Sequence, residues 1–314
     1  MPGFLNIWQK PNGCAVVLAD DNSVRCAVGR AGARSKPRIL SFGEEPIQEH
    51  ADSLSVALKK LAMRGVMNGA ILLEPREYQF LVADAPNVQE AELKMAMNWR
   101  LKDIVDFPVE QASFDLLSIP GPSGADSRSS TMFAVVARTE LLKRRVAEFD
   151  EAHFGATVID IPETAQRNIA ALYEEEGRGV GLLFFDATGG LMTVSFGGEL
   201  YHARRFEITQ AEIAGASHEG RDDLFGRILL EVQRTLDNVE RQFSFMTLTK
   251  VLIGPEAEDS GLVTFLRGNL AVAVEAISLE SVLEFDRGKV PGKHEQWRFF
   301  HLFGCAIRNE TAAK

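Results

Sequence analysis

The chain has 314 residues, 46% of them hydrophobic and 25% charged, with 34 basic against 44 acidic side chains and a net charge of −10. That apolar share excludes global disorder. Three scattered cysteines exclude a disulfide scaffold and indicate a reducing compartment, and the acidic balance speaks against nucleic acid as a partner.

No run of about 18 uncharged apolar residues occurs, and the opening MPGFLNIWQK lacks a signal-peptide pattern. The expectation is a cytoplasmic chain that reaches a membrane only through another protein. Residues 14–19 are short and apolar, Asp20-Asp21-Asn22-Ser23 is a turn cluster, and residues 24–28 resume a strand. A helix follows with Asp52 or Ser53 as N-cap, carrying Leu54, Ala57, Leu58, Leu61 and Ala62 at helical spacing and ending at Gly65. Residues 69–73 form a buried strand.

The next block reads as strand 78–85, helix 89–105, strand 114–119, a loose polar loop over 121–130, strand 131–137, a helix capped by Thr139 and strand 156–161. That β-α-β-β-α-β order is that of a split, ferredoxin-like module inserted in the chain. Trp99 and Phe107 flank its first helix and read as core, with an exposed partner patch as the sharper alternative. After Pro162 come a helix over 163–175, strands 179–185, 191–196 and 200–206, and a long helix over 222–243. A strand at 250–253, a helix at 261–269, a strand at 272–276 and a terminal helix over 297–309 complete the chain. Arg204 and Arg205, at a strand end, read as surface residues, and Lys143-Arg144-Arg145 as a solvated helix face.

The strand–Asp-turn–strand at 14–28 recurs at 180–196, which predicts two duplicated lobes. A turn with small residues lets backbone N–H groups close on phosphate oxygens, and its acidic residue can hold a metal through water. Paired turns of this kind resemble those of actin-like nucleotidases, and the resemblance implies as cleft residues Asp20 and Ser23 in the first turn, Asp186, Thr188, Gly189 and Gly190 in the second, and Gly254 after the strand at 250–253. Asp20 and Asp186 have a purely structural reading beside this one, since Asp favours turns by bonding its own backbone. No HxxxH, HExxH, CxxC, GxSxG or GxxxxGK[ST] pattern occurs, so no catalytic residue and no metal ligand is assigned.

Three stretches resemble PilM and the MSHA-type pilus protein MshI, actin-like members of the type IV pilus assembly machinery. They are Met97 to Glu110 with its Phe107-Pro108 exit, Phe185 to Phe196 continuing through Gly198 to Arg205, and Leu230 to Asp237 followed by Glu240-Arg241-Gln242-Phe243. The resemblance implies an α/β, actin-like (ribonuclease H-like) two-lobe fold with an inserted ferredoxin-like or SHS2-type α+β subdomain. The expected division is 1–77, 78–161 and 162–314. It also implies an assembly or scaffold protein, peripheral to the inner membrane. Its expected partner is a bitopic inner-membrane pilus protein with a PilN-like cytoplasmic tail, and a homodimer is a further option.

The family's nucleotide turns are eroded in this sequence. Asp21 stands where the first turn should have Gly, Thr188 replaces a Gly of the second, and Gly254 is followed by Pro255 in place of a second Gly. The cofactor expectation is thus none, with ATP and magnesium as the alternative. The competing functional readings are an active ATPase or small-molecule kinase of the same superfamily, and a cytoplasmic component of a type II secretion platform.

Overall fold

A computed structural model describes residues 13–32, 35–47, 53–122, 124–286 and 290–308. Asp52 and Asn309, each named in a sequence expectation, lie outside them.

The first lobe begins with three antiparallel strands, β1 (Cys14–Ala19), β2 (Ser23–Arg30) and β3 (Arg38–Pro46). Helix α1 (Ser53–Lys60) then crosses over to β4 (Gly69–Leu72), which lies parallel beside β1. The all-buried pattern of β1 and β4 is what strands covered on both faces require. Strand β3 was not expected. Its alternation is broken by a bulge at Leu40, where the β2–β3 register shifts.

The inserted segment contains β5 (Gln79–Asp84), α2 (Glu90–Leu101), β6 (Ala112–Gly121), β7 (Gly124–Arg138) and α3 (Thr139–Glu151). Its sheet has the order β5-β7-β6. The following strand, β8 (Ala156–Asp160), does not join it. β8 pairs in parallel with β4 and becomes the outer strand of the first-lobe sheet, β14-β3-β2-β1-β4-β8. The β-α-β-β-α-β reading therefore loses its last strand to the lobe, because a short apolar strand after a helix pairs with whichever parallel edge the chain reaches.

The second lobe repeats the first. After α4 (Pro162–Ala170), strands β9 (Gly179–Phe185), β10 (Gly190–Phe196) and β11 (Glu199–Phe206) form an antiparallel meander. Helix α5 (Gln210–Gly215) and the long α6 (His218–Gln242) lead to β12 (Leu248–Ile253), parallel to β9. Ser217 caps α6 by accepting the Gly220 N–H, which starts the helix four residues before the expected Asp222. Helix α7 (Leu262–Asn269), strand β13 (Ala273–Ala276), α8 (Leu279–Val282) and β14 (Glu284–Phe285) follow. The sheet order is β11-β10-β9-β12-β13, the strand pattern of β3-β2-β1-β4-β8 over again. The expected terminal helix is two pieces, α9 (Lys293–Arg298) and α10 (Phe300–Ala306), broken at Phe299.

One core joins the lobes. Val16 and Leu18 of β1, Leu182 and Phe184 of β9, Ala165 and Ile169 of α4, and Phe300 and Phe303 of α10 belong to a single buried cluster. The insert adds a second bridge. One sheet face packs under α2, while Ile119 and Phe133 on the other meet Val194, Leu200, Tyr201, Val239 and Phe243 of the second lobe. Phe107 is core, with the Arg138 guanidinium over its ring; Trp99 is 71% exposed, so only the first of this pair takes the expected packing role.

Candidate functional site

The two Asp turns face each other across a cleft lined by Asp20, Arg25, Glu74, Phe184, Asp186, Thr188, Trp297, Arg298 and His301, with a volume of about 120 Å³. Asp20 ends β1 and Asp186 ends β9, so the duplicated topology itself places the two carboxylates.

Each carboxylate is spent on its own turn. Asp20 Oδ1 accepts the N–H groups of Asn22 (2.9 Å) and Ser23 (2.8 Å). Asp186 Oδ1 accepts the Thr188 N–H (2.7 Å), the Thr188 hydroxyl (2.6 Å) and the Gly189 N–H (3.2 Å). The amides that would cradle an anion are thereby satisfied from within the chain. Burial would raise the Asp20 carboxyl, but those two amides and Arg25 outweigh it and hold it below the usual carboxylate range. Glu74, a cleft residue without a sequence signal, is pushed up by burial.

The remaining candidates stand behind this lining. The Ser23 hydroxyl lies 3.4 Å from Asp20 Oδ1 and accepts from Arg298 Nη2 at 3.4 Å. Gly189 has φ +145°, and a Cβ on it would sit 2.5 Å from the Phe206 carbonyl. A Cβ on Gly190 would strike the Phe185 ring, and one on Gly254 would come within 2.5 Å of the Phe184 ring. The structure thus brings Asp20, Asp186 and Thr188 together on the cleft wall. Gly189, Gly190 and Gly254 are required by close packing.

Side chains from distant sequence complete the site. Arg25 Nη2 lies 2.8 Å from Asp20 Oδ2, and its Nη1 donates to the Arg298 carbonyl at 3.2 Å. Arg298 reaches Glu44 of β3, at 2.5 Å, while its neighbour Trp297 donates its indole N–H to the Phe185 carbonyl at 2.8 Å. Helix α9 therefore fastens the first-lobe sheet to the second-lobe turn. His301 of α10 lies half-buried beside them. The Gln166 amide nitrogen donates to Leu182 O, Leu191 O and Thr193 Oγ1, which leaves its carbonyl as the acceptor for His301 Nε2–H at 3.2 Å. His301 Nδ1 is then the unprotonated nitrogen, 4.0 Å from Asp186 Oδ2. Burial pulls the His301 pKa down to about 4, Asp186 opposing and Arg205 and Arg25 assisting.

A second polar group lies where the insert, α4 and β11 meet. The Tyr78 hydroxyl donates to Glu163 Oε2 at 2.5 Å, and Arg205 binds both, with Nε 3.0 Å from Glu163 Oε1 and Nη2 2.8 Å from the Tyr78 oxygen. Glu163 is 1% exposed. Arg205 is not the surface residue expected; the strand end carrying it faces α4, and Glu163 supplies its counter-charge. Asp160, at the β8 end, accepts the Ile161 N–H at 3.0 Å and lies 3.3 Å from Arg308. Among the described residues no group of three or more His, Cys, Asp or Glu is placed to hold a metal ion, and no helix is long and apolar enough to cross a membrane.

Residues 50–195 match the family model described as type IV pilus assembly protein PilM. No curated protein matches the chain. Among solved structures, one from the PilM–PilN type IV pilus biogenesis complex superposes with a TM-score of 0.72 at 15% identity, over 95% of this chain and 97% of that one. A protein from Bacteroides thetaiotaomicron described as having an actin-like ATPase fold and unknown function superposes with a TM-score of 0.50 at 10% identity, over 90% and 96%. The actin-like fold that the resemblance implied is the one observed, and residues 50–195 are similar to the PilM family.

Proposed function

We propose that the chain is a scaffold of a type IV pilus assembly machine that binds the cytoplasmic tail of a bitopic inner-membrane partner of PilN type and is held at the membrane by that partner. The match of residues 50–195 to the PilM family carries this reading. The solved relative of highest TM-score given above comes from a complex with PilN and supports it. An MSHA-type machine is part of the same proposal and rests on the Met97 to Glu110 stretch.

On this reading the cleft is a joint between the lobes. ATP with magnesium does not fit the residues present. Small-molecule sites span about 300–1,000 Å³, against about 120 Å³ here. Both turns have given their amides to Asp20 and Asp186. Glu74 adds a third carboxylate where a triphosphate would bring further negative charge. No step is routed through a nucleotide.

Calorimetric titration of the chain with the N-terminal cytoplasmic peptide of a PilN-type protein tests the reading. Saturable binding with a stoichiometry near one is expected. No heat with any such peptide counts against it.

A further inference from the structure

The ties between the two lobes differ in kind. One is the crossing of α4 and α10. Helix α4 packs on β9, β10 and β11 of the second lobe, α10 packs on β1, β2 and β4 of the first, and the two helices pack on each other. Their backbones approach so closely that a Cβ on Gly304 would strike the Ala165 carbonyl, and the Asn168 side-chain amide donates to the Gly304 carbonyl at 3.0 Å. Another tie is the contact of Ile119 and Phe133 of the insert with Val194, Tyr201, Val239 and Phe243, all buried. Both are pieces of core, which water reaches only when the core itself opens.

Helix α9 ties the lobes differently. None of its six residues is buried. It holds the second lobe through the Trp297 indole N–H on the Phe185 carbonyl, and the first through the Arg298 guanidinium, 2.5 Å from Glu44 and 3.4 Å from the Ser23 hydroxyl. Polar contacts open to water come apart at a lower free energy than a buried core does. Phe299 stands between α9 and α10 with φ −107° and ψ 8°, outside the helical conformation, while its own side chain is buried. Such a residue at an element end can absorb a rotation of one helix against the next. Trp297 and Arg298 also wall the cleft between the two Asp turns. We propose that α9 is a detachable strap: it swings away at Phe299 while α10 stays seated, and the cleft between the lobes widens when it does. The two core ties persist, so the motion is a hinge opening and the lobes do not part. The inference is independent of the tail-binding reading above.

Hydrogen exchange of the whole chain in low urea tests the detachment. The Gln296 amide, bonded to the Gly292 carbonyl, and the Trp297 indole N–H report on the strap, and the Ala165 and Phe303 amides on the helix crossing. Corrected for intrinsic rates, the strap groups are expected to exchange at least about a hundredfold faster than the crossing. Exchange of both sets at one rate would overturn the proposal, and this measurement needs no variant. Spin labels at Lys59→Cys on α1 and Gln233→Cys on α6, both exposed whereas the native cysteines are buried, read the spacing of the lobes by double electron–electron resonance. One narrow distance is expected in the parent chain. Trp297→Phe combined with Arg298→Gln is expected to add a second, longer distance while the Ala165 and Phe303 amides stay slow. Arg38→Gln, which removes an exposed ion pair within the first lobe, should leave the distance unchanged. A release variant with slow crossing amides and the parent distance, or a longer distance in Arg38→Gln as well, would also overturn it.

Discussion

Asp20 and Arg25, five residues apart across one tight turn, meet at 2.8 Å with side chains only 16% and 13% exposed. The same Arg25 holds the Arg298 carbonyl, so one guanidinium ties the first turn to the C-terminal helices. Removing it leaves a largely buried carboxylate and a carbonyl without their donor. Arg25→Ala is expected to cost about 3 kcal/mol in urea unfolding. The pair Arg38–Glu284 is the contrast: with side chains 53% and 45% exposed, Arg38→Ala should change stability by less than about 1 kcal/mol. Equal losses in the two variants would show that the cleft pair is not special.

The Tyr78–Glu163–Arg205 group predicts a graded series. Glu163→Ala strands Arg205 and the Tyr78 hydroxyl and should cost about 3–5 kcal/mol. Tyr78→Phe removes one hydroxyl and should cost about 1–2 kcal/mol. Because both act on one network, the double variant should lose less than the sum of the two. Strict additivity in a double-mutant cycle would break the network apart.

Acid sensitivity follows from two half-buried histidines, His202 and His301. Burial, with Arg204 adding to it, brings the His202 pKa down to about 4, and burial first among several causes does the same to His301. The unfolded chain takes up a proton near pH 6.5 that the folded chain refuses until about pH 4. Stability is therefore full above about pH 6.5 and falls as the pH drops through that window, by up to about 1.4 kcal/mol per pH unit for each group. His202 Nε2 has no hydrogen-bond partner among the described residues. His202→Phe should leave stability at neutral pH unchanged or higher and shallow the acid slope by one proton. An unchanged slope would remove His202 from the account.

Two helices end on side chains where glycine is usual. His153 (φ +61°) follows α3, with its N–H on the Asp150 carbonyl and the Phe154 N–H on the Phe149 carbonyl. Ala62 (φ +57°) ends α1 in the same way, through Lys59 and Leu58. This left-handed cap strains any residue with a Cβ. His153→Gly and Ala62→Gly should each raise stability by roughly 0.5 kcal/mol after the extra unfolded-state entropy of glycine is subtracted. A fall in melting temperature in both would contradict the cap reading.

The repeated hairpins, the helical periodicities and the Gly and Asp turns were legible in the sequence because each is a local signal that tertiary contacts reinforce. Strand β3 was missed because its Leu40 bulge breaks the period-two pattern. The destination of β8 depends on which parallel edge accepts it, and nothing within residues 156–160 says so. Arg298 and Glu44 are 254 positions apart, and Arg205 and Glu163 are 42 apart. No spacing rule connects such pairs, so the sequence showed the two turns of the cleft but not the C-terminal helices that close it. Asp21, which stands where the first turn should have Gly, turns to Arg76 at 2.9 Å, and it is Arg25 and Glu74 that line the cleft beside the turn.

The central claim is that Arg25, Arg298 and the two Asp turns satisfy one another and leave the cleft as a joint between lobes. The most direct measurement is a calorimetric titration of the chain with magnesium and ATP, repeated on Asp186→Ala. The account predicts no saturable heat in either. Saturable binding to the parent chain that disappears in Asp186→Ala would contradict it.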